Sequence, residues 1–213
     1  MQILKFFPVL HFTICIFQFS FRFNFVFSCK KGGWWTFDFR PWTFDIFILT
    51  YTDSIRMTLI LETETFLVEA PDKPHVTRAD GGHIKIKPKT RYVDRQELSP
   101  KQAIELTRLT MVVGEAMRTV LNKKGIDVGR INYQDNGNWS VFKPQGPYLH
   151  VHLYGRSKNA GIQKYGDALE FPHRETGFYD GYEPLTEEDV TEIQGEIEKL
   201  MAMDKYLDSA WGL

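Results

Sequence analysis

Two histidines, His150 and His152, lie two positions apart in the stretch 148–156 and alternate with apolar residues. Because side chains alternate between the two faces of a strand, a strand here would place both histidines on one face and the apolar residues on the other. Residues two apart on a strand are roughly 6.6 Å from each other, so both imidazoles can reach one bound group. This geometry suits either two metal ligands or a nucleophile with a second group beside it.

Composition differs sharply between the first 56 residues and the rest of the 213-residue chain. Residues 1–56 hold 13 of the 17 Phe, three of the five Trp and both Cys, and carry a local charge of +3. Residues 57–213 carry 20 basic and 24 acidic side chains, a charge of −4. This acidic composition without a basic run argues against duplex nucleic acid as the main partner. The lack of Cys excludes a disulfide framework, a thiolate nucleophile and a Cys-based zinc site in residues 57–213.

The aromatic first segment fits neither a secretory signal nor a membrane span. Its apolar run between positions 6 and 27 is interrupted by Pro8, His11, Gln18, Arg22 and Asn24. We expect residues 1–56 to be an extension that is disordered or not part of the natural protein, with Met57 as the true start. Membrane anchoring through residues 1–28 and a folded extension are the alternatives.

From position 58 onward the sequence predicts an α+β domain. Strands are predicted at residues 66–70, 83–87, 130–133, 139–142 and 148–156, with turn residues between them. A helix is predicted from Ser99, with Pro100 at its first position and Gln102 completing a capping box, to about Lys124. Its apolar side is Leu106, Leu109, Val113, Met117, Val120 and Leu121. A final helix is predicted from Thr186 to about Met203. Short connections around one long helix indicate an antiparallel sheet with a crossing helix.

The order of these motifs resembles that of the histidine-triad (HIT) nucleotide hydrolases and transferases. The matching segments are Gly82-His83-Ile84-Lys85-Ile86-Lys87-Pro88-Lys89, the long helix, Asn132 in a strand, and His150-Val151-His152-Leu153-Tyr154-Gly155-Arg156. The resemblance implies an α+β fold with an antiparallel sheet of about five strands, a long crossing helix and a C-terminal helix. Residues 57–160 would form a HIT-like nucleotide-binding domain, and residues 161–213 a C-terminal extension whose helix packs on it.

In this family the central histidine attacks the α-phosphorus and forms a covalent nucleotidyl-enzyme. The family has histidine at three alternate positions, of which this chain fills two. In one register, Tyr148 replaces the leading histidine, His150 is the nucleophile and His152 supports the leaving group. In the other, His150 leads, His152 attacks and Tyr154 takes the last place. The first register is favoured because Gly155 and Arg156 follow His152 at the family's spacing.

The resemblance also assigns roles to neighbouring residues. Asn132 would contact the phosphate end of the nucleotide, and Tyr148 would line its site. Asn138 and Ser140 would donate to phosphate oxygens or protonate the leaving group, or would only cap the Asn-Gly turn. His83 and Arg156 are predicted to be structural or supporting residues.

The sequence thus predicts a nucleotide hydrolase or nucleotidyl transferase acting at the α-phosphate of a purine nucleotide derivative or dinucleoside polyphosphate. It predicts no cofactor, a cytoplasmic location and no stable membrane association of residues 57–213, and it allows a homodimer. One alternative is a HIT-like module that binds nucleotides without turning them over. A less favoured one is a metal site in a small β-barrel, formed by His150, His152 and His83 with a carboxylate such as Glu170.

Overall fold

The computed structural model describes residues 57–135 and 137–213, and the predictions for residues 1–56 lie outside this range. Five strands form one antiparallel sheet in the order β1-β2-β3-β5-β4. They are β1 (Met57–Glu62), β2 (Phe66–Pro71), β3 (His83–Pro88), β4 (Val128–Asp135) and β5 (Val151–Ser157). β5 therefore lies between β3 and β4, which places the histidine stretch well inside the sheet.

One face of the sheet is covered by helices and forms the core. The long helix α1 (Pro100–Lys123) and the helix α2 (Glu187–Met201) bury their apolar sides together with those of the strands. Leu149, Val151 and Leu153 belong to this core, as do Ile84 and Ile86 of β3. Because side chains alternate along a strand, burying these residues leaves the histidines on the opposite face.

Both helices begin with a side-chain cap, and the sequence predicts the one at the start of α1. Ser99 and Gln102 form a capping box at the start of α1, and Thr186 and Asp189 form one at the start of α2. Asp189 also accepts two hydrogen bonds from Arg78, at 2.6 and 3.0 Å, so the start of α2 is tied to the loop after β2. A short helix α3 (Asp208–Trp211) ends the chain.

The α+β prediction of an antiparallel sheet of about five strands, a crossing helix and a C-terminal helix is confirmed. The predicted strand at residues 139–142 is wrong, because residues 137–140 form a 3-10 helix. The fifth strand is instead β1, which the sequence did not indicate. Among the described residues, no helix combines the length and the apolar character needed to cross a membrane.

Candidate functional site

The face of the sheet opposite the helices carries the histidines. His150 precedes β5 and His152 lies within it, and both are buried. Tyr154 of β5 pairs with His83 of β3 on one side and with Asn132 of β4 on the other. In the same way, His152 pairs with Lys85 of β3 and with Gln134 of β4. Directly paired residues of neighbouring strands project to the same face, so these side chains surround the histidines.

The ring of His150 is oriented by the main chain. Its Nδ1 lies 2.8 Å from the carbonyl oxygen of Tyr148, and a carbonyl oxygen can only accept, so Nδ1 carries the proton. In a neutral imidazole the lone pair is then on Nε2. The ring of Tyr148 stacks on that of His150 with 4.5 Å between centroids. His150 is thereby held as an imidazole with a free nucleophilic nitrogen.

The tautomer of His152 is fixed by a chain of hydrogen bonds. The backbone N–H of His75 donates to Nδ1 of His83 at 3.2 Å, which leaves the proton of His83 on Nε2. Nε2 of His83 lies 2.8 Å from Nδ1 of His152 and donates to it. His152 must then carry its proton on Nε2. The two histidines of the stretch therefore differ: His150 offers a lone pair, and His152 offers a donor.

Burial keeps the histidines of this face neutral. Burial lowers the pKa of His152 to about 2 and that of His75 to about 4, and holds the pKa of His83 well below its ordinary value. Burial also lowers the pKa of His150, although its bond to the Tyr148 carbonyl opposes the shift. Burial lowers the pKa of Lys85 to about 8, so Lys85 is still mainly cationic at pH 7.

Aromatic rings and an irregular segment close one side of the site. His75 stacks on His83 at 5.3 Å between centroids and contacts Trp139 and Phe171. The carbonyl of His75 accepts from Gln163, whose own backbone N–H donates to the buried Asp80. The segment after β5 thus holds His75, and through it His83, in place.

The other predicted site residues are distributed around the site as follows. Asn132 reaches the histidine face through its pairing with Tyr154. The Ser140 hydroxyl donates to the Gly137 carbonyl at 3.1 Å. This contact corresponds to the alternative in which Ser140 caps the turn and does not donate to a phosphate. The side chain of Asn138 lies outside the described part of the structure. Arg156 donates to the carbonyls of Lys164 and Asp167 and so holds the segment after β5.

Three residues of the site had no role in the prediction. Lys85 and Gln134 occupy the histidine face through strand pairing, and the alternation of β3 from His83 was a usable signal for Lys85. His75 follows a Pro-containing turn and comes to the site only through the tertiary fold, so local sequence carried no signal for it.

Three histidines of the site lie close enough together to share a metal ion. Ring nitrogens of His75, His83 and His152 lie within 4.8 Å of one another, a different set from the predicted one, which included His150 and Glu170. A metal on Nε2 of His83 would move its proton to Nδ1, where it would oppose the N–H of His75. The hydrogen bonds of this group therefore do not fit a metal bound at Nε2 of His83.

A scan against protein-family models and a search of curated proteins gave no match. A search of solved structures does give matches. One is a hypothetical histidine triad nucleotide-binding protein from Sulfolobus tokodaii, which is 17% identical to this chain. The match covers 70% of this chain and 89% of that chain, with a TM-score of 0.46. A zinc-bound histidine triad family protein from Mycobacterium smegmatis has 23% identity, covers 71% and 86%, and has a TM-score of 0.42. A histidine triad protein from Bradyrhizobium japonicum has 16% identity, covers 66% and 90%, and has a TM-score of 0.46.

Proposed function

We propose that this chain is a nucleotide hydrolase or nucleotidyl transferase in which Nε2 of His150 attacks the α-phosphate. The observation that carries the proposal is the hydrogen bond from His150 Nδ1 to the Tyr148 carbonyl. It directs the lone pair of the ring to Nε2, and burial keeps the ring unprotonated at neutral pH.

In the first step, the Nε2 lone pair of His150 forms a bond to the α-phosphorus, and the bond from phosphorus to the leaving-group oxygen breaks. The phosphorylated ring is positively charged, with its remaining proton on Nδ1. The Tyr148 carbonyl accepts that proton in a hydrogen bond, so it stabilises the charged intermediate as well as orienting the free ring.

His152 contributes a hydrogen bond rather than a proton. Its Nε2–H belongs to a neutral imidazole whose Nδ1 already accepts from His83, and such a ring is a very weak acid. The N–H stabilises negative charge on the departing oxygen. This favours leaving groups that depart as stable anions, such as the phosphate of a dinucleoside polyphosphate or another phosphoanhydride.

In the second step, water or another hydroxyl attacks the phosphorus from the side the leaving group has vacated. The bond from phosphorus to Nε2 breaks, the lone pair returns to His150, and the proton of the attacking hydroxyl passes to solvent or to a phosphate oxygen. Water as acceptor gives hydrolysis, and another hydroxyl gives nucleotidyl transfer.

The geometry supports the register in which His150 attacks and Tyr148 takes the leading place. In the other register His152 would attack through Nε2, but its hydrogen bond from His83 places a proton there.

The test is covalent labelling of the full chain with α-³²P-labelled adenine and guanine nucleotides and dinucleoside polyphosphates, followed by acid-free quenching. Wild type acquires label that is stable to denaturation, and His150→Ala reduces it to background. His152→Ala still acquires label, but roughly 10²- to 10³-fold more slowly, because one donor to the developing charge is lost. The matched control is His173→Ala, since His173 is exposed and off the site.

Undiminished labelling of His150→Ala would refute His150 as the nucleophile. Nucleotide binding by wild type without any label would instead support the alternative of a module that binds but does not turn over its ligand. Release of nucleoside monophosphate from labelled protein in water, or of a mixed product with an added hydroxyl acceptor, distinguishes hydrolase from transferase.

A further inference from the structure

The side chain of Lys85 lies on the histidine face of the sheet, the face opposite the helices. On β3 it pairs with His152 of β5 on one side and with Glu69 of β2 on the other. Directly paired side chains lie about 5 Å apart at their Cβ atoms, so the lysine stem begins next to the ring of His152. The positive charge of Lys85 is among the causes that lower the pKa of His75, His83, His150 and His152.

Lys85 is a nearly buried residue whose ammonium group has no fixed partner among the described residues. Its residue is only 5% exposed, and within the described residues no hydrogen bond or ion pair is found for its Nζ. Glu69 is instead paired with Lys87, at 2.9 Å. Burying a cation is costly unless an opposite charge compensates for it.

The local charge is left unbalanced as a result. One carboxylate, that of Glu69, faces the two ammonium groups of Lys85 and Lys87, so the three groups carry a net charge of +1. The neighbouring histidines are neutral and contribute no negative charge. The next lysine along this part of the chain, Lys89, has its own partner in Glu62 at 2.5 Å. The site is therefore prepared for an anion beside His150 and His152.

We propose that the ammonium group of Lys85 binds the phosphoryl group that His150 attacks. This assignment rests on the proposed function and deepens it, since it makes Lys85 a catalytic residue and identifies the substrate as one with an anionic phosphate chain at the reacting centre. The lysine holds the non-bridging oxygens, whose charge it neutralises, while His152 donates to the departing oxygen. Neither contact requires proton transfer from Lys85.

The experiment compares Lys85→Met and Lys85→Gln with Lys89→Met in the full chain. Lys89 is the matched control, because it is a lysine four positions along the same chain segment that is paired with an exposed carboxylate. Circular dichroism and thermal melting establish folding, and the polar Lys85→Gln serves if the methionine variant does not fold. With the nucleotide that labels wild type best, kcat/KM falls roughly 10²- to 10³-fold in both Lys85 variants. In Lys89→Met it changes by less than about threefold.

A second measurement keeps this proposal separate from the proposed function. Inorganic pyrophosphate raises the melting temperature of wild type and Lys89→Met, and the rise is lost in both Lys85 variants. If wild type forms no nucleotidyl intermediate, the proposed function fails, and the pyrophosphate shift alone decides the role of Lys85. The assignment is overturned if the Lys85 variants have the same kcat/KM as wild type. If there is no turnover, it is overturned when the pyrophosphate shift in melting temperature is equal in all variants or missing in all of them.

Discussion

In the favoured register Tyr148 takes the place where the resembled family has a histidine, and its contacts indicate how His150 is oriented without one. The group that fixes the His150 ring is the carbonyl oxygen of residue 148, which any amino acid supplies. The side chain of Tyr148 instead stacks on His150 and lies under the guanidinium of Arg91, 5.8 Å from the ring centroid. The substitution therefore changes what covers one side of the nucleophile and leaves its tautomer unchanged.

The residues of the site predict a bell-shaped dependence of kcat/KM on pH. In the proposed mechanism His150 attacks unprotonated, and burial lowers its pKa below the ordinary value, so activity should fall as the pH drops through that lowered value. In its proposed role Lys85 binds phosphate as a cation, and burial lowers its pKa to about 8, so activity should fall as the pH rises through that value. The groups facing these two are Glu69 on β2, Lys87 on β3, His152 on β5 and Asp135 on β4. Steady-state kinetics from pH 5 to 9.5 measure both limbs, because kcat/KM reports the free enzyme.

Lys85→Gln provides the check on this profile. The variant loses the alkaline limb and keeps the acid one, since only the lysine titrates near pH 8 in this group. A wild-type profile that stays flat between pH 7 and 9.5 would contradict the role given to Lys85. An acid limb centred above pH 7 would contradict the neutral, buried state of His150.

The sequence allowed the pair His150 and His152 to be identified because alternation along a strand is a local property. It allowed neither the direction of their hydrogen bonds nor the contribution of His75, because these depend on contacts between distant parts of the chain. His75 reaches His83 through the turn after β2 and is held by Gln163, 88 residues further on. Alternation along the strand places Lys85 on the same face as His83 and could have predicted its position. A lysine on a strand normally faces solvent, however, so it was given no role.

At the scale of the elements, prediction succeeded where the pattern was long and failed where it was short. The capping box, the apolar stripe of α1 and the Gly after it were sufficient to define that helix. Residues 139–142 are rich in apolar and aromatic side chains and follow an Asn-Gly pair, which is typical of a hairpin. In the structure Phe142 is 98% exposed and Val141 54%, so the apolar content of this segment does not reflect burial in a sheet.

The contact between β5 and the turn before β3 gives a prediction about these elements. A Cβ on Gly155 would overlap the carbonyl oxygen of Gly81, which itself has a φ of 124°. Gly155→Ala should therefore destabilise the fold by about 1–3 kcal/mol or more, since backbone must shift to accept the methyl group. It should also reduce activity, because the backbone shift would reach the site. Gly82 precedes His83 in the chain, and the ring of Tyr154 stacks on that of His152.

Urea unfolding and single-turnover labelling of Gly155→Ala measure the two effects. The control is Gly161→Ala, because a Cβ at Gly161 would meet no atom within 4 Å. Its free energy of unfolding should lie within about 0.5 kcal/mol of wild type. Equal stability of the two variants would contradict the close approach of β5 to Gly81.

At the scale of the whole molecule, the segment between β5 and α2 connects the site to the rest of the fold. It has no periodic pattern and forms mostly turns, but buried polar groups hold it at several points. The Asp80 carboxylate accepts from the backbone N–H groups of Gly161, Ile162 and Gln163 at 2.8–3.0 Å. Such contacts join residues about 80 positions apart, so no window of local sequence could have placed this segment over the histidines.

The buried neutral histidines make the stability of the whole molecule depend on pH. His75 has a pKa of about 4 in the fold and 6.5 when unfolded, so between these values the unfolded state binds more protons and stability is lost as the pH falls. The cations facing His75 are Arg174 and Lys85, and both favour its neutral form. Between pH 7 and 5 this residue alone should remove about 2 kcal/mol from the free energy of unfolding.

Urea unfolding at pH 7 and pH 5 tests this expectation. The loss on acidification should be smaller in His75→Gln than in wild type by about 2 kcal/mol. His173→Gln should lose as much as wild type, because that side chain is exposed. An identical loss in His75→Gln and wild type would show that His75 is not held neutral in the fold.

The opposite tautomers of His150 and His152 also define what an inhibitor of this site must look like. A compound that offers an N–H or O–H to His150 Nε2 and an oxygen acceptor to His152 Nε2–H matches both rings, whereas the same compound turned end for end meets two mismatches. Since the polarity of His152 is set through His83 by the backbone of His75, no rotation of either ring alone relieves the mismatch. The site therefore distinguishes the two orientations of a ligand whose ends differ only in that one donates and the other accepts a hydrogen bond. It does so before any bond to phosphorus is formed.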